Sequence, residues 1–307
     1  MRKLSIQLGI AFAVVAAVAA GCKKQTKSDP SAADVMTAAD RASAGSAVAN
    51  GPVDTTPLTG VDVTKLEAKQ QELFYKLAGS LSSPCGKAHS LRTSVTTDQS
   101  CKRAPFAAKY VAAMVEDGAT EAEAREWYDA KYKSAKTVSI ALDGVPMVGA
   151  ADAPVKFVEY FDYGCPACQM AKGQIDTLVK ERGKDFVIYY KMYPLEKIHP
   201  DSKSAAQAAL AAHAQGKFHE MHDALFAKKT HKREETIAIA KELGLDEAKF
   251  LADFDAAAAK IKTEVAEGDG VGVEGTPTIF FNNRPYKGPL HARYMAMWID
   301  EELAVSR

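Results

Sequence analysis

Cys165-Pro166-Ala167-Cys168 is the stretch of this 307-residue chain whose residue types and spacing most clearly suit chemistry. Two thiols two residues apart can cycle between dithiol and disulfide. They follow the run Val155 to Phe161, rich in β-branched and aromatic residues, which reads as a buried strand entered through Asp152-Ala153-Pro154. After them, the spacing over Gln169 to Val179 predicts an amphipathic helix with Met170, Ile175, Leu178 and Val179 inward. At a strand-to-helix junction the first thiol meets unpaired amides and the helix dipole, which favour a thiolate, and Pro166 suits the first helical turn. The second thiol points inward, close enough to resolve a mixed disulfide. A structural zinc site would need two more ligands, and the sequence has no second Cys-x-x-Cys and no His-x-His. An inert structural disulfide suits the first turn of a helix less well than redox cycling does.

The elements that hold this site must be drawn from a chain of balanced charge, with 39 Lys plus Arg against 39 Asp plus Glu. That balance argues against nucleic acid as a partner. Met1-Arg2-Lys3 followed by Leu4 to Ala20 has the charged and apolar regions of a secretory signal. It ends in Ala19-Ala20-Gly21-Cys22, which resembles the bacterial lipobox, with Ala19 where that motif usually has leucine. The resemblance implies that residues 1–21 are a lipoprotein signal peptide and that Cys22 is lipidated. An uncleaved anchor helix is the alternative, although Leu4 to Ala20 is short for a span. Either way the chain is expected outside the cytoplasm in an oxidising compartment, and the lipobox resemblance implies the bacterial cell envelope, lipid-anchored and facing the periplasm. Residues 22–60 are dominated by small and polar types and read as a flexible, disordered tether.

From 61 to 136 the pattern is helical and predicts a small all-α domain. Val63, Leu66, Leu73, Phe74 and Leu77 recur at helical spacing, and Pro105-Phe106 opens a helix with Tyr110, Met114 and Val115 on one stripe. Thr120-Glu121-Ala122-Glu123 forms a capping box ahead of Trp127, Tyr128 and Tyr132, which read as core. With Cys22 and the Cys-x-x-Cys pair set aside, Cys85 and Cys101 remain and are expected to form a structural disulfide, a second redox pair being the alternative. Such a bridge typically contributes about 2–4 kcal/mol. The segments Ser83-Pro84-Cys85, Tyr110 to Thr120 and Tyr128 to Tyr132 resemble the three-helix domain of CcmH, a thiol reductant of cytochrome c maturation. Ser82 stands where that family has its first cysteine, so its redox role does not transfer to Cys85.

Residues 137–307 predict an α/β unit. Val138 to Val148 reads as an amino-terminal strand and loop, Phe186 to Met192 as a second buried strand, and about 197–266 as a helical block. Gly275-Thr276-Pro277-Thr278-Ile279-Phe280-Phe281 resumes the sheet, with a proline at the strand head where a cis peptide turns the chain. Glu159 to Cys168, Gly216 to Phe226 and Gly275-Thr276-Pro277 resemble the DsbA-type thiol–disulfide oxidoreductases. The resemblance implies a thioredoxin fold with a helical insertion, no cofactor, and exchange with substrate proteins carrying thiols or disulfides. It implies Cys165 as nucleophile, Cys168 as resolving thiol, and Thr276 with cis-Pro277 as the substrate-binding face of a Cys165–Cys168 redox disulfide. It also implies Glu159 as a buried acid that shuttles the Cys168 proton, a solvated strand-end carboxylate being the alternative. A membrane redox partner, DsbB-like or a reductase, completes the cycle. His213, His219 and His222 have spacing that could hold a metal, but the resemblance assigns their helix to packing, so no metal is expected. The family's enterobacterial oxidant has Pro-His where this chain has Pro166-Ala167, which predicts a thiolate less stabilised and a milder oxidant. A reductase or isomerase, possible in cytochrome c maturation, and a non-catalytic peptide-binding or chaperone module are the alternative functions.

Overall fold

The computed structural model describes residues 52–133, 136–228 and 230–306. The signal, most of the tether and Cys22 lie outside the described residues. From Pro52 onward the chain forms one compact unit. Leu58, inside the stretch read as tether, is already buried, as are Val61 and Val63.

Four helices come first: α1 (Ala68–Ser80), α2 (Leu91–Thr96), α3 (Ala104–Glu116) and α4 (Glu121–Tyr132). The capping box at α4 is present, with Thr120 and Glu123 satisfying each other's backbone N–H groups. The short α2 lies within the loop closed by a disulfide between Cys85 and Cys101, whose Cα atoms are 5.8 Å apart.

The sheet follows, with β1 (Met147–Gly149), β2 (Val155–Phe161), β3 (Phe186–Met192), β4 (Thr278–Phe281) and β5 (Arg284–Pro285) in the order β1-β3-β2-β4-β5. Strands β2 and β3 are parallel, joined by α5 (Pro166–Arg182), and β4 runs antiparallel to β2. Between β3 and β4 stand α6 (Ser202–His213), α7 (Phe218–Phe226), α8 (Arg233–Glu242) and α9 (Glu247–Gly270); α10 (Ala292–Ser306) closes the chain. This is a thioredoxin fold with a helical insertion, which runs a few residues past the expected boundary at 266.

Two expectations change. Val138 to Val148 supplies only the three-residue β1, because its backbone is satisfied outside the ladder: Val138 N–H donates to the Asn283 carbonyl, and Ala141 N–H to the Glu267 carboxylate. Met170 is 68% exposed, since the inward stripe of α5 is Cys168, Ala171, Ile175 and Leu178.

Strand alternation divides the core. Phe157 and Phe161 of β2 face a large cluster that includes Cys168, Ile175 and Trp298, while Val158 and Tyr160 face a smaller one on the other side. Glu159 shares the parity of Phe157 and Phe161, so its side chain lies on the α5 side.

The amino-terminal helices share that large cluster and are tied to α10 by buried charges. Lys131 Nζ lies 3.1 Å from Glu301 Oε2 and 3.4 Å from the Trp298 ring centroid. Arg103 pairs with Glu301 and, at 2.9 Å, with Glu302; Tyr132 Oη donates to Glu301 at 2.7 Å. Arg284 donates to the Lys131 carbonyl at 3.0 Å. Burial pushes the Lys131 ammonium down to about 7 against the opposing pull of Glu301.

Candidate active site

Cys165 caps α5 in an extended conformation, and Pro166 occupies the first turn, where a missing N–H costs nothing. Both Cys165 and Cys168 are free thiols in this structure. They are not equivalent. Cys165 retains a small exposure of 7%, whereas Cys168 is fully buried. The Cys165 thiol is lowered to about 5, chiefly by the hydrogen bond that Cys168 gives it. Burial opposes this, and Thr276 and the backbone N–H groups of Cys168 and Ala167 assist it. Burial and that same hydrogen bond push the Cys168 thiol far above its ordinary value, and nearby Glu159 adds to the rise.

Thr276 meets the nucleophile from the far side of the cleft. Cys165 Sγ donates to the Thr276 carbonyl at 3.3 Å, and the Thr276–Pro277 peptide bond is cis. The Thr276 hydroxyl is buried and has no hydrogen-bond partner among the described residues. It is therefore free to turn toward the sulfur once Cys165 ionises.

Glu159 is buried, not solvated. Burial drives its carboxyl up to about 8, Asp176 and Cys165 add to the rise, and Lys172 counters it. Cys165, Cys168, Glu159, Thr276 and Pro277 are thus gathered where β2, the head of α5 and the entry to β4 converge.

Sequence reasoning missed the Asp162–His199 pair. The fully buried Asp162 carboxylate accepts from Gly164 N–H at 2.6 Å and Leu195 N–H at 2.7 Å, and lies 2.8 Å from His199 Nδ1. Its own N–H donates to Cys168 Sγ at 3.5 Å. Gly164 is required here, because a Cβ would sit 2.8 Å from His199 Cβ. Asp162 and Gly164 lie within the stretch that resembles the family, and His199-Pro200 opens the insertion; that the two meet is a tertiary fact.

Among the histidines, His222 is buried with Nδ1 3.0 Å from Tyr163 Oη, packed among Phe161, Tyr190 and Phe226. Burial holds it well below the usual imidazole range, hence neutral. His219 is solvent-facing and pairs with Asp223.

A family model described as Thioredoxin matches residues 141–301, just over half of the chain. Among curated proteins, the Na(+)/H(+) antiporter NhaA 1 of Mycobacterium sp. (strain KMS) is 37% identical over 149 residues, 47% of this chain and 24% of that protein. The chain thus matches about a quarter of the length of such relatives. Among solved structures, a thioredoxin-like oxidoreductase from Silicibacter pomeroyi is 29% identical, with TM-score 0.47, covering 52% of this chain and 91% of that one. BdbD from Bacillus subtilis is 22% identical, with TM-score 0.49, covering 55% and 98%. With the family model spanning the sheet and the dithiol helix, the chain belongs to the thioredoxin family.

Proposed function

We propose that this protein exchanges disulfides with substrate proteins outside the cytoplasm through Cys165 and Cys168. The asymmetry of the two thiols carries this assignment: one sulfur that keeps a small exposure and is stabilised as thiolate, one fully buried sulfur held as thiol. In the oxidising direction a client thiolate attacks Cys165 Sγ of the Cys165–Cys168 disulfide. The S–S bond breaks and Cys168 departs, taking a proton from the Glu159 carboxyl. A second client thiolate then attacks the client sulfur of the mixed disulfide, and Cys165 leaves as thiolate. Reduction of a client disulfide is the same path reversed. Thr276 and Pro277 flank the reacting sulfur and serve as the face that receives the client. A membrane partner, either a DsbB-like oxidant or a reductase, resets the dithiol.

A periplasmic location with Cys22 as a lipid anchor agrees with the leader and with the Cys85–Cys101 disulfide, which suits an oxidising compartment. No helix among the described residues is long and apolar enough to cross a membrane. We further propose that residues 61–136 act as a helical module on the redox unit at 137–307.

Equilibration of the soluble protein in glutathione buffers tests both activity and direction. A potential well above that of thioredoxin, about −270 mV, marks an oxidant. Cys165 at about 5 lies between the values typical of DsbA (about 3.5) and thioredoxin (about 7), which favours a milder oxidant. A potential at or below thioredoxin's would make the chain a reductase. Failure of Cys165 to exchange with glutathione at all would leave only a peptide-binding module.

A further inference from the structure

We infer that the amino-terminal helices form one wall of the client-binding groove, and that the groove takes an extended client segment carrying an apolar side chain near its reactive cysteine. This presupposes the dithiol exchange proposed above and specifies which clients it favours.

A cavity of about 420 Å³ opens beside Pro277, the residue after the carbonyl that contacts Cys165 Sγ. One wall is the sheet and the loop after it, through Ile279, Tyr286 and Leu290. The opposite wall is α4, through Glu126, Trp127 and Ala130, and α4 lies outside the residues 141–301 that the family model matches. A second cavity of about 540 Å³ adjoins the first, sharing Trp127 and Pro289, and continues toward Met114 at the end of α3. Together they make a track that starts beside Pro277 and has room for several side chains in succession, which suits a polypeptide better than a small thiol.

Trp127 was expected in the core, but it is only half-buried and stands at the junction of the two cavities. Leu290 is 37% exposed at the same groove, and Met170 is exposed on the first turns of α5. Beside Pro277, Trp127, Ile279, Pro289 and Leu290 give the first cavity an apolar floor, bordered by Glu126 and Lys287, which fits an apolar client side chain. The wall is fixed in place: Lys131, on the same helix as Trp127, is anchored to Glu301, and Arg284 holds the Lys131 carbonyl. The groove therefore exists before a client arrives, and binding does not require ordering α4.

The test uses Cys168→Ser protein, in which the mixed disulfide accumulates. Cys165 thiolate attacks a symmetrical peptide disulfide; the Cys165–peptide S–S bond forms, the peptide S–S bond breaks, and one peptide leaves as thiolate. Two peptides are compared, alike except for phenylalanine or glycine two to four residues from the cysteine, with glutathione disulfide as a third substrate. The phenylalanine peptide should react several-fold faster than the glycine peptide. Trp127→Ala should slow the phenylalanine peptide about tenfold, as loss of an aromatic anchor does, with the glycine peptide and glutathione within about twofold. Ala130→Trp, which fills the cavity without removing a packed ring, should erase the preference in the same way. Equal rates for the two peptides in the parent, or an undiminished preference in both variants, overturns the groove. Normal glutathione exchange in those same samples leaves the dithiol assignment standing, whereas absence of glutathione exchange in the parent overturns that assignment first.

Discussion

Lowering the pH should switch off the nucleophile near pH 5. With Cys165 at about 5, roughly 99% is thiolate at pH 7, about half at pH 5 and about 9% at pH 4. A thiol left at its ordinary value of 9.0 would be only about 1% ionised at pH 7. Only the thiolate is alkylated, so the rate of iodoacetamide labelling of reduced protein should be flat between about pH 7 and 9 and fall about tenfold per unit below 5. Mass spectrometry of the labelled peptide assigns the site, and Cys168 should stay unlabelled until the protein unfolds, because it is buried and held as thiol. Stability follows the same titration. The folded pKa is depressed, so in the window from about 5 to 9 the unfolded chain binds the extra proton, and Cys165 contributes stability to the reduced protein as pH rises through it, against the opposite slope that the raised Glu159 carboxyl gives. The gain reaches its full extent above 9 and is lost as pH falls through 5. One proton sets a ceiling of about 1.4 kcal/mol per pH unit, and solvent near the partly accessible sulfur keeps the slope below it. The disulfide form lacks the Cys165 contribution and keeps the Glu159 slope, so the difference between the two forms isolates Cys165. Urea unfolding of both forms at pH 5 and 8 reads the difference. An alkylation midpoint near 8–9, or labelling of Cys168 alongside Cys165, would refute the asymmetry on which the functional assignment stands.

Thr276→Val should raise the alkylation midpoint by about one unit, since it removes a hydroxyl that stabilises the charged sulfur; an unchanged midpoint would show that the hydroxyl never turns to Cys165. Replacing both Cys85 and Cys101 by alanine should cost about 3 kcal/mol in urea unfolding, the value for a loop of this length, and leave glutathione exchange at Cys165 unchanged. Glu301→Gln should cost about 3–5 kcal/mol by stripping the shared counter-charge from buried Lys131 and Arg103. Adding Lys131→Met to that variant should recover part of the loss, and no recovery would mean that Glu301 acts mainly through Arg103 and Tyr132.

What could be read in the sequence was what neighbours along the chain decide. Cys165, Pro166 and Cys168 announce a capped helix start, β2 and β3 announce themselves by composition, and Thr276-Pro277 marks the entry to β4. Strand parity even assigns Glu159 to the side of Phe157 and Phe161. Contacts between distant residues were not legible. Asp162 and His199 are 37 residues apart and meet only because the chain after β3 folds back over Gly164. Lys131 and Glu301 lie on helices at opposite ends of the chain, and nothing local to either signals a buried pair. Met170 and Trp127 were misjudged for a related reason: helical spacing defines a stripe, but which edge of the stripe is covered depends on what packs there.

Glu159 allows the direction of exchange to be argued from protonation states. With its carboxyl raised to about 8, roughly 90% is protonated at pH 7. When a client thiolate attacks the disulfide, Cys168 leaves with a pKa far above neutral and needs a proton at once; a protonated Glu159 supplies it. Cys165, leaving in the second step, needs none. Both leaving groups are therefore served at neutral pH. Reduction asks the opposite: after Cys165 attacks, Cys168 must lose its proton, and only the ionised minority of Glu159 can accept it. Reduction of insulin should accordingly accelerate up to about tenfold between pH 7 and 9, following Glu159 ionisation, while oxidation of a reduced peptide, compared at constant client thiolate, should not. Glu159→Gln should abolish the reductive pH dependence and leave the Cys165 alkylation midpoint near 5, since Glu159 is absent from the groups that lower it. If the variant kept the same reductive profile, the group titrating near 8 would be something other than Glu159, and the proton of Cys168 would travel by another route.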